Sequence, residues 1–213
     1  LTFFVMKISR TCTFRYMYCF LFFLGWVLLQ SCRTVKDYYN LPTYGANNGI
    51  TAVIEIPAGT NKKFEYDPVI KKMARDLENG IPRTINFLPY PGNYGFIPST
   101  LSELRNGGDG DALDILVIAE AIPAGAVVET LPIAILNLID DGEKDSKVIA
   151  VPISKKLQII DALSYQDILE RYPQIPKIIE LWFLNYNQND ISEVEGWGDE
   201  NEALKEIQNH LKN

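Results

Sequence analysis

The chain has 213 residues, 47% of them hydrophobic and 22% charged, and a formal net charge of −7. That length bounds it at one domain, or one domain plus a targeting segment, with enough apolar residues for a real core. The acidic balance argues against nucleic acid as a partner, because phosphate contacts need a positive surface. A single histidine, His210, excludes HExxH and Cys₂His₂ zinc sites and histidine-based triads. Neither a Walker A sequence nor a G-x-S-x-G elbow occurs.

Read from Met6, the N-terminus has the pattern of a signal peptide. Lys7, Arg10 and Arg15 form a basic front, and Tyr18 to Leu29 an apolar stretch too short to span a bilayer comfortably. It closes on Leu28-Leu29-Gln30-Ser31-Cys32, which resembles the lipobox of bacterial lipoproteins. The resemblance implies a signal peptide over 1–31, lipidation at Cys32, and export to a bacterial membrane on its periplasmic side. Cys12 and Cys19 would leave with the signal and no cysteine follows Cys32, so no disulfide framework is expected. Residues 32–48 are polar, with Pro42, Gly45 and paired asparagines, and read as a tether ahead of a domain over 49–213.

Thr51 to Pro57 reads as a strand closed by proline, in which Glu55 is an odd neighbour for Val53. Lys63 to Tyr66 alternates as a second strand, 67–80 reads as a loop or short helix, and Arg83 to Phe87 as another strand. Pro89 to Pro98 reads as a rigid aromatic loop. Leu113 to Ala119 is a buried strand, and Ala126 to Ile139 the longest β-pattern, with Pro132 marking an edge or a bulge. Asp140 to Lys147 forms an acidic turn into Val148 to Val151. Beyond residue 152 the period becomes helical. Ser164-x-x-Asp167 opens one helix, Pro176 with Ile178, Ile179, Trp182, Phe183 and Tyr186 marks another, and Asp199-x-x-Glu202 starts a last amphipathic one. The fold class is therefore mainly β (α+β), a small twisted sheet or barrel with packed C-terminal helices.

The chemistry concentrates in Gly108-Asp109-Gly110-Asp111-Ala112-Leu113-Asp114. Asp109 and Asp111 share a face of extended chain and Asp114 takes the other, so the three converge only if the glycines let the chain bend. Carboxylates gathered this way repel unless a cation joins them, and a hard divalent ion such as Mg²⁺ suits oxygen donors. An isolated D-x-D is more often an exposed acidic turn. An EF-hand does not fit, because Asp114 stands where the loop needs glycine.

Together with Ile54-Glu55-Ile56-Pro57, Lys63-Phe64-Glu65, Tyr90-Pro91-x-Asn93-Tyr94-Gly95, Asp140-Asp141, Asp145-x-Lys147 and Val194-Glu195-Gly196-Trp197, this segment resembles the family I soluble inorganic pyrophosphatases. The resemblance covers about residues 50 to 213. It implies a closed OB-like β-barrel with helices packed outside, and Mg²⁺-dependent hydrolysis of pyrophosphate by metal-activated water. Asp109, Asp114 and Asp145 would hold one metal, Asp140 with Asp145 a further one, and Glu55 and Glu65 would line the acidic wall. Asp111 would take the proton of the attacking water, with Tyr94 beside it. Lys63, Arg83, Tyr94, Lys147 and Tyr186 would contact phosphate oxygens. Asp141 stands where the family commonly has glutamate, and Asn187 where many members carry lysine. A homo-oligomer is expected, of a size the sequence leaves open. Two other readings stay open: a lipid-anchored, non-catalytic barrel binding Ca²⁺ or phosphate, and a phosphohydrolase acting on another small phosphate ester.

Overall fold

Strand β1, Ile50–Ile56, is buried along its whole length, Glu55 included. It pairs antiparallel with β6, Asn93–Phe96, at Val53↔Phe96 and Ile54↔Gly95. Gly95 is required there, because a Cβ would collide with the Val53 carbonyl oxygen. From β6 the sheet runs antiparallel to β7, Asp114–Val117, and then parallel to β10, Lys147–Pro152. The 14-residue β8, Val127–Asp140, lies antiparallel to β10, to the two-residue β9, Glu143–Lys144, and to the edge strand β11, Ser192–Asp199. Near its start β8 also pairs with β1, at Ile50↔Thr130, so the order β1-β6-β7-β10-β8 returns to its first strand. Pro132 sits at a bulge: Ile149 faces Ala134 and Ala150 faces Pro132, leaving Ile133 extra in the ladder.

This computed structural model describes residues 36–187 and 191–212. The expected signal peptide, residues 1–31, and Cys32 lie outside the described residues. Residues 37–213 form one unit with apolar packing on both faces of the sheet. Along β7, Leu116 points into one cluster with Ile149, Trp182 and Phe183, while Ile115 and Val117 point into the other with Ile54 and Ile207. Helix α1, Tyr165–Arg171, starts at Ser164, whose Oγ accepts from the Asp167 N–H at 3.1 Å. Helix α2, Ile175–Phe183, has Pro176 in its first turn and buries Ile179, Trp182 and Phe183. Helix α3, Glu200–Asn209, is capped by Asp199, whose Oδ1 accepts from Asn201 and Glu202 N–H at 2.9 Å each. Among the described residues no helix is long and apolar enough to cross a membrane.

Five local readings change. Residues 67–80 are neither loop nor helix but complete two hairpins, β2 with β3 (Phe64–Asp67, Lys72–Arg75) and β4 with β5 (Leu77–Glu78, Ile81–Pro82). Asn79 and Gly80 both take positive φ, 53° and 79°, which is the Asn-Gly hairpin turn. Arg83 to Phe87 is not a strand; its ladder to residues 61–63 is limited to a Lys62↔Thr84 bridge and two flanking bonds. The aromatic loop contains β6. The tail contains β11, whose bulge between Val194 and Gly196 breaks the two-residue period that would have revealed it. The tether ends earlier than Asn48: Tyr38, Tyr39 and Leu41 pack on Tyr66 and Phe96, and the Thr51 N–H donates to the Thr43 carbonyl at 2.8 Å.

Asn93 is fully buried and joins three segments. Its Oδ1 accepts from Ala58 and Ile122 N–H at 3.0 and 2.7 Å, and its Nδ2 donates to the Glu120 carbonyl at 2.9 Å. Asn93→Ala strands these buried groups and should cost about 3 kcal/mol. Urea unfolding should show it as a lower midpoint, and an unchanged midpoint would refute the role.

Candidate active site

The aspartate loop is shaped by its glycines. Gly107 and Gly110 take φ of 84° and 90°, and a Cβ on Gly108 would collide with Ser102. The Gly110 N–H donates to the Ser102 carbonyl, and the Ser102 N–H to the Asp111 carbonyl, both at 2.7 Å. Asp109 Oδ1 accepts from the Asp111 N–H at 2.9 Å, and the Leu113 N–H donates to Thr100 Oγ1 at 2.9 Å. The chain thus bends between Asp109 and Asp114, and all three aspartates line one cavity. Burial and the neighbouring charge of Asp109 raise the Asp111 carboxyl above its ordinary range.

The strands supply the opposing groups. Asp114 is the first residue of β7 and Lys147 the first of β10, and the parallel register places them side by side. Lys147 Nζ reaches Asp114 Oδ2 at 2.5 Å and also pairs with Asp145; its side chain is 4% exposed. Tyr94, from β6, donates its hydroxyl to the same Asp114 oxygen at 2.5 Å. Burial opposes a charged Lys147, yet the two carboxylates hold its ammonium firmly protonated. Burial pushes Asp114 up to about 6, against the pull of Lys147, and keeps the Tyr94 phenol neutral. Glu55 accepts the Tyr66 N–H at 2.6 Å, and burial pushes its carboxyl up to about 8.

A cavity of about 300 Å³ gathers these groups. Of the residues singled out in the sequence, Glu55, Lys63, Glu65, Tyr94, Asp109, Asp111, Asp114, Asp140, Asp145, Lys147 and Tyr186 all line it. Tyr186 stacks on Trp182 with ring centroids 4.9 Å apart, and burial pushes its phenol up to about 12. Arg83 does not line it. Its guanidinium lies 3.4 Å from Asp76 and borders a neighbouring cavity shared with Tyr186 and Asn187. Asp76, unnoticed in the sequence, also lies 3.5 Å from Lys63, which pairs with Glu65 at 2.7 Å. Tyr39 and Glu143 were missed as well. The signal for Tyr39 was an aromatic pair, Tyr38-Tyr39, inside an otherwise polar segment.

Residues 52–213 match the family model described as inorganic pyrophosphatase. The chain belongs to the inorganic pyrophosphatase family. The inorganic pyrophosphatase of Neisseria meningitidis serogroup A is 34% identical over 184 residues, covering 84% of this chain and 97% of its own. Inorganic pyrophosphatase 1 of Pseudomonas syringae pv. tomato is 37% identical over 169 residues, covering 75% of this chain and 87% of its own. Among solved structures, the inorganic pyrophosphatase from Thermus thermophilus aligns with a TM-score of 0.69 at 31% identity, over 81% of this chain and 95% of that one.

Within this pyrophosphatase cavity the donors suit a hard divalent cation. Nine carboxylates face two lysines, Lys63 and Lys147, and the lining holds no thiol or imidazole. The grouping differs from the expected one. Asp114 and Asp145 meet around Lys147, and Asp109 binds the Asp111 backbone, so Asp109, Asp114 and Asp145 do not form a trio. Among the described residues no three such side chains are clustered closely enough for one ion. An ion that used all three would have to draw Asp109 toward the strands.

Glu55 titrates in a way that stability reports. Its folded pKa, about 8, exceeds the ordinary 4.5, so the unfolded state loses its proton first. Stability of the metal-free protein should therefore fall as pH rises from about 4.5 to about 8. Glu55→Gln keeps an acceptor for the Tyr66 N–H and should flatten this limb in thermal unfolding across that range. An equal slope in both proteins would rule it out.

Proposed function

We propose that this chain hydrolyses inorganic pyrophosphate to two orthophosphates in the Asp109–Asp114 cavity, with Mg²⁺ as cofactor. The observation that carries the reading is one small cavity in which clustered carboxylates face Lys63, Lys147 and tyrosines including Tyr94 and Tyr186. A highly charged small anion needs cations and donors on every side, and a bulky ester would find little room. The named relatives support the same substrate.

Asp109, Asp114, Asp140 and Asp145 would hold Mg²⁺, with Glu55 and Glu65 completing the acidic wall. Bound there, Mg²⁺ supplies neutralisation of the substrate's charge and lowers the pKa of water. Asp111 receives the proton of the attacking water; burial and the neighbouring charge of Asp109 raise its basicity. Lys63, Lys147, Tyr94 and Tyr186 bind phosphate oxygens, and Arg83 acts from the adjoining cavity through its border with Tyr186. Lys147 would exchange part of its grip on Asp114 and Asp145 for phosphate. Asp111→Asn should lower phosphate release from Mg-pyrophosphate by about 10²-fold or more while preserving the fold. A rate within about threefold of wild type would remove Asp111 from this role, and a wild type that only binds would favour the non-catalytic barrel.

Three further parts of the reading concern architecture and place. The β8–β1 pairing supports a closed OB-like barrel built from β1, β6, β7, β10 and β8. Exposed Ile178 and Leu181 on α2, with exposed Leu88, whose carbonyl accepts from Trp182 Nε1 on the same helix, support a homo-oligomer. The Lys7–Arg15 front, the apolar stretch and Ser31-Cys32 support an exported protein held at a bacterial membrane by lipidated Cys32. In bacterial cells the protein should take up fatty-acid label, and Cys32→Ala should abolish both label and membrane fractionation. Peptides joining Cys32 to upstream residues in the mature protein would overturn cleavage at this position.

A further inference from the structure

The segment before β1 is docked and brings a side chain to the active cavity. Tyr38 donates its hydroxyl to the Gly125 carbonyl at 3.0 Å, and the Ser99 N–H donates to the Tyr39 carbonyl at 2.9 Å. The Tyr39 ring meets Tyr66 edge-on at 5.1 Å and Phe96 at 4.7 Å, and Lys212 Nζ lies 5.5 Å from its centroid. The ring is thereby aimed rather than free to swing. It lines the cavity, yet it lies before the family match at 52–213.

Among the described residues the Tyr39 hydroxyl has no hydrogen-bond partner, although it can donate one bond and accept others. The charges felt by its phenol are those of Glu55, Asp111, Glu65 and Asp114, and together with burial they keep it protonated. Three of those four carboxylates are already engaged. Glu55 accepts from the Tyr66 N–H, Glu65 pairs with Lys63, and Asp114 is held by Tyr94 and Lys147. The Asp111 side chain alone among them has no partner among the described residues. An unclaimed donor and an unclaimed acceptor thus face the same space.

We propose that Tyr39 is a positioning residue for Asp111, its hydroxyl donating to that carboxylate across one water. The inference rests on the reading of Asp111 as the group that receives the water's proton. A carboxylate on a loop can rotate between productive and unproductive orientations, and a fixed donor on one oxygen leaves the other directed at the water. The docked segment is then part of the catalytic unit, and the chain that leads toward Cys32 ends in the active site.

Tyr39→Phe in the full chain tests this. Losing one such bond should lower kcat by about tenfold with KM within about twofold, because the contact acts on the base and not on bound substrate. The thermal midpoint should stay unchanged, since the hydroxyl holds no other part of the fold. Tyr38→Phe provides the contrast: it removes the bond to Gly125 that docks the segment, so it should lower the midpoint, and any fall in its kcat should accompany that loss of stability, whereas in Tyr39→Phe kcat falls alone. A kcat within about twofold of wild type, or a loss carried wholly by KM, would overturn the proposal. If the wild type turned over pyrophosphate and Tyr39→Phe matched it, only this inference would fall. An inactive wild type would overturn both this and the functional reading.

Discussion

The Lys147 ammonium between Asp114 and Asp145 is the interaction around which the site is arranged. Two carboxylates at such range, with little water between them, would repel strongly in a low-dielectric interior. The parallel pairing of β7 with β10 sets Lys147 beside Asp114, and the turn that leads into β10 brings Asp145 to the same nitrogen. Neither strand could begin with a buried charge alone. The pair also draws in Tyr94 from β6, so three adjacent strands are tied at the wall of the cavity by one charged cluster.

Around that cluster the cavity is walled by strand residues on one side and by the aspartate loop on the other. Asp114 and Lys147 sit on strands whose neighbouring residues are packed in the two apolar clusters, and Tyr94 lies between buried Asn93 and Gly95, which leaves them little freedom. Asp109 and Asp111 sit on a loop held by backbone bonds to Ser102 and by glycines at positive φ.

Much of this was legible in the chain. The β1, β7, β8 and β10 segments announce themselves as apolar runs, because strands buried on both faces need no polar alternation. The three helices carry their start signals in the sequence, as side-chain caps at Ser164 and Asp199 and as Pro176 in a first turn. The acids and cations of the site were also visible, through the spacing of Asp109, Asp111 and Asp114 and the motifs around them. Short hairpins and bulged edges were not. The β3, β4 and β5 strands have two to four residues each, too few to establish a period, and the Gly196 bulge in β11 interrupts the one that exists.

By itself, then, the sequence determined which residues are chemically equipped, where the main strands and helices lie, and the family to which they belong. These follow from local pattern, which is written along the chain. Only the tertiary structure decided who meets whom: Lys147 between Asp114 and Asp145, Arg83 turned to Asp76 outside the main cavity, and Tyr39 brought from the presumed tether to the cavity wall. Such meetings depend on strand register and on long-range packing of segments far apart in sequence. A shift of one residue in the pairing of β7 with β10 would turn Lys147 to the opposite face, and no local pattern records that choice.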